Sequence, residues 1–257
     1  MLGLGNGLTL SSSIESLIPK FSLSLDGTDD RVTLASEITL LISRAGNNGT
    51  ISFWSKRVNS STRDTILGAH NDVGSVQSNY RSLLELTTTP KIRIESIQNG
   101  EEAGGISSTD YSVWHHYVVT WSGRDGSNNA QAIWYEDGSA ISMDSSNTFG
   151  LTVGEEFTFD TIGAVNNTSS GEHEFTGLLY QLAFWDVTLA AAAVVSMYNS
   201  GIPIPLQFES GNYNNADDLV HLYKFNEGSG TTTADSVGSV NGTLKEDATF
   251  SVEIPTG

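Results

Sequence analysis

The sequence predicts an all-β sandwich of two sheets with one short helix, and three observations carry that prediction. Short runs rich in β-branched and aromatic residues follow one another from Phe21 onward. Turn signals punctuate the chain at Asp26-Gly27, Asn48-Gly49, Asn99-Gly100, Asp125-Gly126, Asp137-Gly138 and Asn241-Gly242, where glycine accepts the positive φ of a tight turn. One segment alone reads as helix, with Thr188 as N-cap, an alanine-rich stretch from Leu189 to Tyr198, and Gly201 as the stop.

The strands expected in order are Phe21–Leu25, Arg31–Leu34, Thr50–Lys56, Arg81–Thr87, Lys91–Ser96, Trp114–Trp121 and Gln131–Glu136. Thr158–Ile162, Gly177–Trp185, Leu219–Phe225 and a short one at Gly242–Leu244 follow. Successive strand residues point to opposite faces, so Phe53-Trp54 and Phe184-Trp185 each place one large ring on either side of their sheet. Both faces of those strands must be covered, or one must form a binding groove. The short helix is expected to cover an open end of the sandwich.

At 257 residues the chain is long enough to bury a core without staples, and it has no cysteine to form one. Twelve basic residues stand against 30 acidic ones, a formal charge of −18 with no Lys/Arg cluster, which excludes nucleic acid as a partner. No apolar run approaches a membrane span, so no membrane insertion is expected, and Met1–Leu10 lacks the basic start of a secretory signal. Residues 1–20 read as a glycine- and serine-rich arm. They hold enough Leu and Ile to need cover from an assembly partner. Residues 202–218, with two prolines and three asparagines, read as a linker or insertion between the main body and residues 219–257.

Several segments resemble one family in that family's own order. Leu25-Asp26-Gly27-Thr28-Asp29-Asp30-Arg31-Val32 is similar to the "F-D-G-x-D-D-y-V" signature of laminin G-like jelly rolls. Thr50–Lys56, Trp114–Trp121, Trp134–Gly138, Ile162–Ala164 and Phe175–Gly201 resemble the strands and helix that follow. The resemblance covers roughly residues 21–201 and implies a concanavalin A-like two-sheet jelly roll within a single domain, residues 21–257. Leu222–Gly230 with Asp235 and Asn241–Leu244 resembles the family's opening strand, displaced to the C-terminus, which implies a circular permutation or a swapped strand. The same arrangement resembles structural proteins of marine tailed bacteriophages.

Candidate site residues follow from these placements. Trp54, Trp114 and Trp121 lie on motif strands, where packing is the ordinary use of an aromatic ring. Tyr80, Tyr111 and Tyr213 sit in turn-rich stretches and are the rings expected to face a ligand. Asp26 and Asp30 flank one tight turn and Glu227 another; they either bond loop amides or hold a structural Ca²⁺, which needs about six to eight oxygens. His115 and His116 alternate faces and cannot share one metal, so no zinc site is expected.

Catalysis finds little machinery. No E-x-D-x-x-E string is present, Glu172-His173-Glu174 is the nearest carboxylate pair, and neither G-x-S-x-G nor a cysteine nucleophile occurs. The expectation is a non-enzymatic protein that presents a jelly-roll domain to glycans or a host surface. Its leading setting is a virion, as capsid decoration or tail adhesin held to capsid, tail or sister subunits through the arm. A secreted bacterial carbohydrate-binding or adhesion module is the alternative, and a glycan-cleaving enzyme ranks third.

Overall fold

The computed structural model describes residues 19–41, 48–58, 64–70, 80–86, 91–96, 101–106, 110–124, 130–142, 148–149, 156–165 and 174–257. Within them the strands are β1 (Ser22–Asp26), β2 (Arg31–Leu41), β3 (Gly49–Arg57), β4 (Asp64–His70), β5 (Tyr80–Leu86), β6 (Lys91–Ser96), β7 (Glu101–Ile106), β8 (His115–Arg124) and β9 (Ala130–Glu136). There follow β10 (Ser139–Ala140), β11 (Thr148–Phe149), β12 (Glu156–Ile162), β13 (Thr176–Trp185), helix α1 (Ala191–Tyr198), β14 (Leu219–Tyr223), β15 (Thr232–Thr233), β16 (Gly242–Lys245) and β17 (Thr249–Ser251).

Two antiparallel sheets result. The first runs β10-β9-β8-β3-β13-β1-β17, with β11 also on β9 and β14 also on β13; the second runs β15-β16-β2-β12-β4-β5-β6-β7. The C-terminal segment is shared between them. Strand β14 pairs with β13, placing Tyr223 opposite Leu182, while β16 pairs with β2 and β17 with β1.

Period-two patterning decides which side chains enter the core. Ile51, Phe53, Tyr117, Val119, Trp121, Trp134, Leu179 and Phe184 point inward from the first sheet and meet Val32, Ile38, Ile66, Phe159 and Ile162. The outward residues Val118, Tyr135, Ala183 and Trp185 found a second apolar cluster, closed by Val194 and Met197 of α1 and by Ile204, Leu206, Tyr213 and Leu222. Phe53-Trp54 and Phe184-Trp185 therefore do straddle their sheet, and α1 lies over the outer sheet face rather than over an open end.

Local signals were met unevenly. Asp137 and Gly138 have φ of 50° and 77°, the mirror-image turn expected between β9 and β10. Gly242 instead lies within β16, and Gly49 within β3. Added Cβ atoms there would sit 2.4 Å from Val32 Cγ1 and 2.0 Å from the Trp121 ring, so these glycines serve close packing. The helix starts later than its expected cap: Ala190 holds the N-cap position without a side-chain bond, and the Thr188 hydroxyl donates to the Trp121 carbonyl. Strands β4 and β7 carry no clear sequence signal. Gly68 interrupts the first, where Ala164 O would lie 2.3 Å from a Cβ, and β7 reads Glu-Glu-Ala-Gly-Gly-Ile.

Candidate functional site

The outer face of the first sheet is divided. Around Trp185 it is sealed: the indole Nε1 donates to the Tyr213 hydroxyl at 3.2 Å, and that hydroxyl donates to the Leu206 carbonyl at 2.7 Å. Tyr213 is 0% exposed and burial pushes its phenol pKa up, so this ring is a wedge in the second cluster and not a surface for a ligand. Tyr111 is likewise displaced from its expected role. It is buried, with the Arg57 guanidinium 4.5 Å from its ring centre, and it covers the buried Arg57–Asp64 ion pair between β3 and β4. Tyr80 opens β5 and pairs with His70; its side chain falls outside the described residues.

Beyond Trp54, itself 2% exposed, the same face opens around Tyr198. Trp54 stacks on His116 at 4.7 Å and on Tyr198 at 5.9 Å, which brings the last residue of α1 over β3 and β8. Gly138 makes room for this: a Cβ there would lie 3.3 Å from Tyr198 Cδ1. The helix ends at Tyr198 because Asn199, Ser200 and Gly201 all take positive φ. Half-buried Tyr198 thus stands between two pockets. One, of about 490 Å³, is lined by Asp137, Ser139, Val195, Asn199 and Ser200. The other, of about 290 Å³, is lined by Trp54, Lys56, Ser112, Val113, Trp114 and Ser200. Trp114, half-buried, meets Tyr180 edge-on at 6.3 Å. Both pockets combine aromatic faces with hydroxyl groups, and the first adds the Asn199 amide, the mixture that ligand sites use.

Two adjacent histidines of β8 lie beside Asp137 and Tyr198 and differ in charge state. His116 is buried under Trp54, its Nε2 lies 2.8 Å from Ser52 Oγ, and burial lowers its pKa to about 3, so it is neutral. His115 points the other way, with Nε2 2.7 Å from the Asp110 carbonyl and Nδ1 2.7 Å from Asp137 Oδ2. Carbonyl and carboxylate oxygens only accept, so both ring nitrogens donate and His115 is an imidazolium. Burial opposes that charge, but the bond to and charge of Asp137, the Asp110 carbonyl and Glu136 outweigh it and raise its pKa. His115 therefore fixes Asp137 at the pocket wall, and Asp137 Oδ1 also accepts from the His116 amide at 2.9 Å.

The carboxylates expected to hold a metal divide into two groups. Asp26, Asp29 and Asp30 each bring one oxygen within 4.8 Å of the others. Asp30 is 2% exposed; its Oδ2 accepts from the Asp26 amide at 2.9 Å, while its Oδ1 is buried without a hydrogen-bond partner. Burial, and then the charges of Asp26 and Asp29, raise the Asp30 pKa against the pull of the Asp26 and Asp247 backbone. An orphaned anionic oxygen beside two further carboxylates fits a hard cation. The Arg31 guanidinium, which donates to the Asp29 carbonyl at 2.8 Å, supplies part of the compensating charge. Glu227 is absent from this set: it accepts from the Ala234 amide at 2.8 Å and closes the Glu-Gly-Ser-Gly turn.

Sequence reasoning missed Tyr198 and Asp137 as site residues. Tyr198 was legible only as the end of a helix and Asp137 only as the first residue of a turn. The arm, residues 1–18, and the pair Glu172-His173 lie outside the described residues. Pro19 is described, and its carbonyl accepts from the buried Tyr180 hydroxyl at 3.1 Å.

Comparison with known proteins bears on the fold. No curated protein matches the sequence. Among solved structures, a candidate carbohydrate binding protein from Bacteroides ovatus superposes with a TM-score of 0.55 at 14% identity, over 90% of this chain and 62% of that one. This chain thus spans less than two thirds of that protein's length. A heptameric SAP-like pentraxin from Limulus polyphemus superposes with a TM-score of 0.50 at 15% identity, over 70% of this chain and 82% of that one. The CBM40 of an IT-sialidase from Ruminococcus gnavus gives 0.49 at 13% identity, over 71% of this chain and 98% of that one. The family profile described as the concanavalin A-like lectin/glucanases superfamily, of laminin G type, matches residues 26–195. With two thirds of its length matched and two antiparallel sheets to correspond, the chain belongs to the concanavalin A-like lectin/glucanase superfamily.

Proposed function

We propose that this chain is a non-catalytic, lectin-like domain that binds glycans at the open half of the outer sheet face, around Tyr198. The observation that carries the reading is the Tyr198 ring set between two pockets whose walls hold serines, an asparagine and further aromatic rings. Sugar rings offer apolar faces to aromatic side chains and hydroxyl edges to such polar groups. The description of the Bacteroides ovatus protein as a candidate carbohydrate binder supports the same reading. The test is binding to a panel of immobilised polysaccharides by the wild type and by Tyr198→Ala. Retention that the substitution abolishes is expected, without release of reducing sugar. Retention that is indifferent to Tyr198 would reject the site, and reducing-sugar release would reject the non-catalytic reading.

The setting we propose is a virion surface, as capsid decoration or tail adhesin, with the arm as anchor on capsid, tail or sister subunits. This finer reading rests on the sequence resemblance to phage structural proteins alone. The second setting is a secreted bacterial carbohydrate-binding or adhesion module. Finding the chain in purified particles supports the first; finding it only as a free secreted protein overturns it. We also propose Asp26, Asp29 and Asp30 as holders of a structural Ca²⁺, whose charge would relieve their mutual repulsion and complete Asp30 Oδ1.

A further inference from the structure

Resting on the glycan-binding reading above, we infer that the two pockets flanking Tyr198 are subsites of one site for an uncharged oligosaccharide of two or more sugar residues. Tyr198 and Ser200 line both pockets, so a ligand chain lying in one runs past the tyrosine ring into the other. The volumes, about 490 and 290 Å³, are each of the order that holds a small ligand. A single sugar therefore fills one pocket and leaves the other to water, whereas an oligosaccharide gains contacts in both for one loss of translational freedom.

The absence of net charge follows from the charged side chains that line the pair. Among the described residues there are two, Asp137 and Lys56. Lys56 Nζ already meets the Glu253 carboxylate, and Asp137 already meets His115. An acidic sugar would lose hydration at its carboxylate and find its one cation neutralised, and the chain's charge of −18 would repel it on approach. Hydroxyl groups face no such cost, since Ser112, Ser139, Asn199 and Ser200 both donate and accept.

The test is titration calorimetry of the whole chain with neutral hexaoses of glucose, xylose and N-acetylglucosamine, with the matching monosaccharides, and with sialyllactose and oligogalacturonate. Val113→Trp and Ser139→Trp, both at exposed positions, obstruct one pocket each and leave the core untouched; melting curves establish that each variant folds. A neutral hexaose is expected to bind at least roughly tenfold tighter than its monosaccharide and to weaken by roughly tenfold or more in each obstructed variant. Its affinity is expected to be the same at low and high salt, because no ion pair forms. Hexaose binding that survives obstruction of either pocket overturns the two-subsite inference. Salt-sensitive binding of the acidic saccharides in preference to the neutral ones, lost in Tyr198→Ala, overturns the uncharged ligand class while leaving the site in place. Absence of binding to every saccharide, or binding indifferent to Tyr198→Ala, overturns the glycan-binding reading itself.

Discussion

Two buried aspartates in two turns, Asp235 and Asp30, meet opposite surroundings. Asp235 accepts from the amides of Leu222, Val237, Gly238 and Val240 and from His221 Nδ1, so five N–H groups converge on one buried carboxylate. Burial alone would raise its pKa; the His221 bond and those amides reverse the effect and hold it at about 2. Asp30 is as buried, is met among the described residues by the backbone of Asp26 and of Asp247 alone, has two further carboxylates beside it, and its pKa is raised. The chain completes the first anion with its own backbone and leaves the second incomplete. The difference lies in how the loops fold: residues 235–240 wrap their amides around their own aspartate, as in an extended Asx turn, while the Asp26–Asp30 turn gathers carboxylates instead.

Asp235→Ala is the largest break in this comparison. It strands four backbone amides and His221 and detaches β14 from the loop preceding β16, so a loss on the order of 3 kcal/mol is expected in chemical denaturation. A loss under about 0.5 kcal/mol would show that the network contributes little. Calcium comes next. At a concentration 100 times its dissociation constant, an ion bound only by the folded state stabilises by about 2.7 kcal/mol. Added Ca²⁺ is expected to raise the melting temperature and EDTA to lower it, and an unchanged melting curve in both would leave the Asp26–Asp30 turn metal-free.

Asp30→Asn sharpens the contrast through a change of sign. It keeps an acceptor for the Asp26 amide and removes one of three like charges, so it is expected to stabilise the chain by about 1 kcal/mol in EDTA and to destabilise it in Ca²⁺. The same sign in both media would mean that Asp30 holds no ion. Acid titration separates the two carboxylates further. With its folded pKa depressed, Asp235 supports stability above its unfolded value and loses that support as pH falls towards 2. With its folded pKa raised, Asp30 in EDTA contributes stability when protonated and loses it as pH rises through its folded pKa. The smallest effect belongs to His115. Its raised pKa means that its contribution is complete below the ordinary histidine value and is lost as pH climbs through the folded one. His115→Gln should flatten that alkaline decline in a melting-temperature profile.

The histidine pair shows how far reading the residues went. That His115 and His116 face opposite ways was legible, because adjacent strand residues must. That one is cationic and the other neutral was not, since Asp137, Glu136 and the Asp110 carbonyl reach His115 from a turn, a strand end and a separate loop. The tyrosines teach the same lesson with the opposite outcome. Tyr213 and Tyr111 sit among turn residues, yet long-range packing on Trp185 and Arg57 buries both. Tyr198 ends an alanine-rich helix, and only the seating of that helix on β3 and β8 turns its ring into a pocket wall.

By itself the sequence determined the two-sheet sandwich, most of its strands, the inward and outward sets of β3 and β13, the single helix and the family, because these depend on periodicity, turn chemistry and ordered local motifs. Tertiary structure decided what closes each exposed surface: which half of the outer sheet face is sealed, which carboxylates gather, and which aromatic ring stays open to solvent. Those outcomes turn on contacts between residues far apart in the chain, such as Trp54 with Tyr198 and Lys56 with Glu253, whose geometry no local pattern encodes.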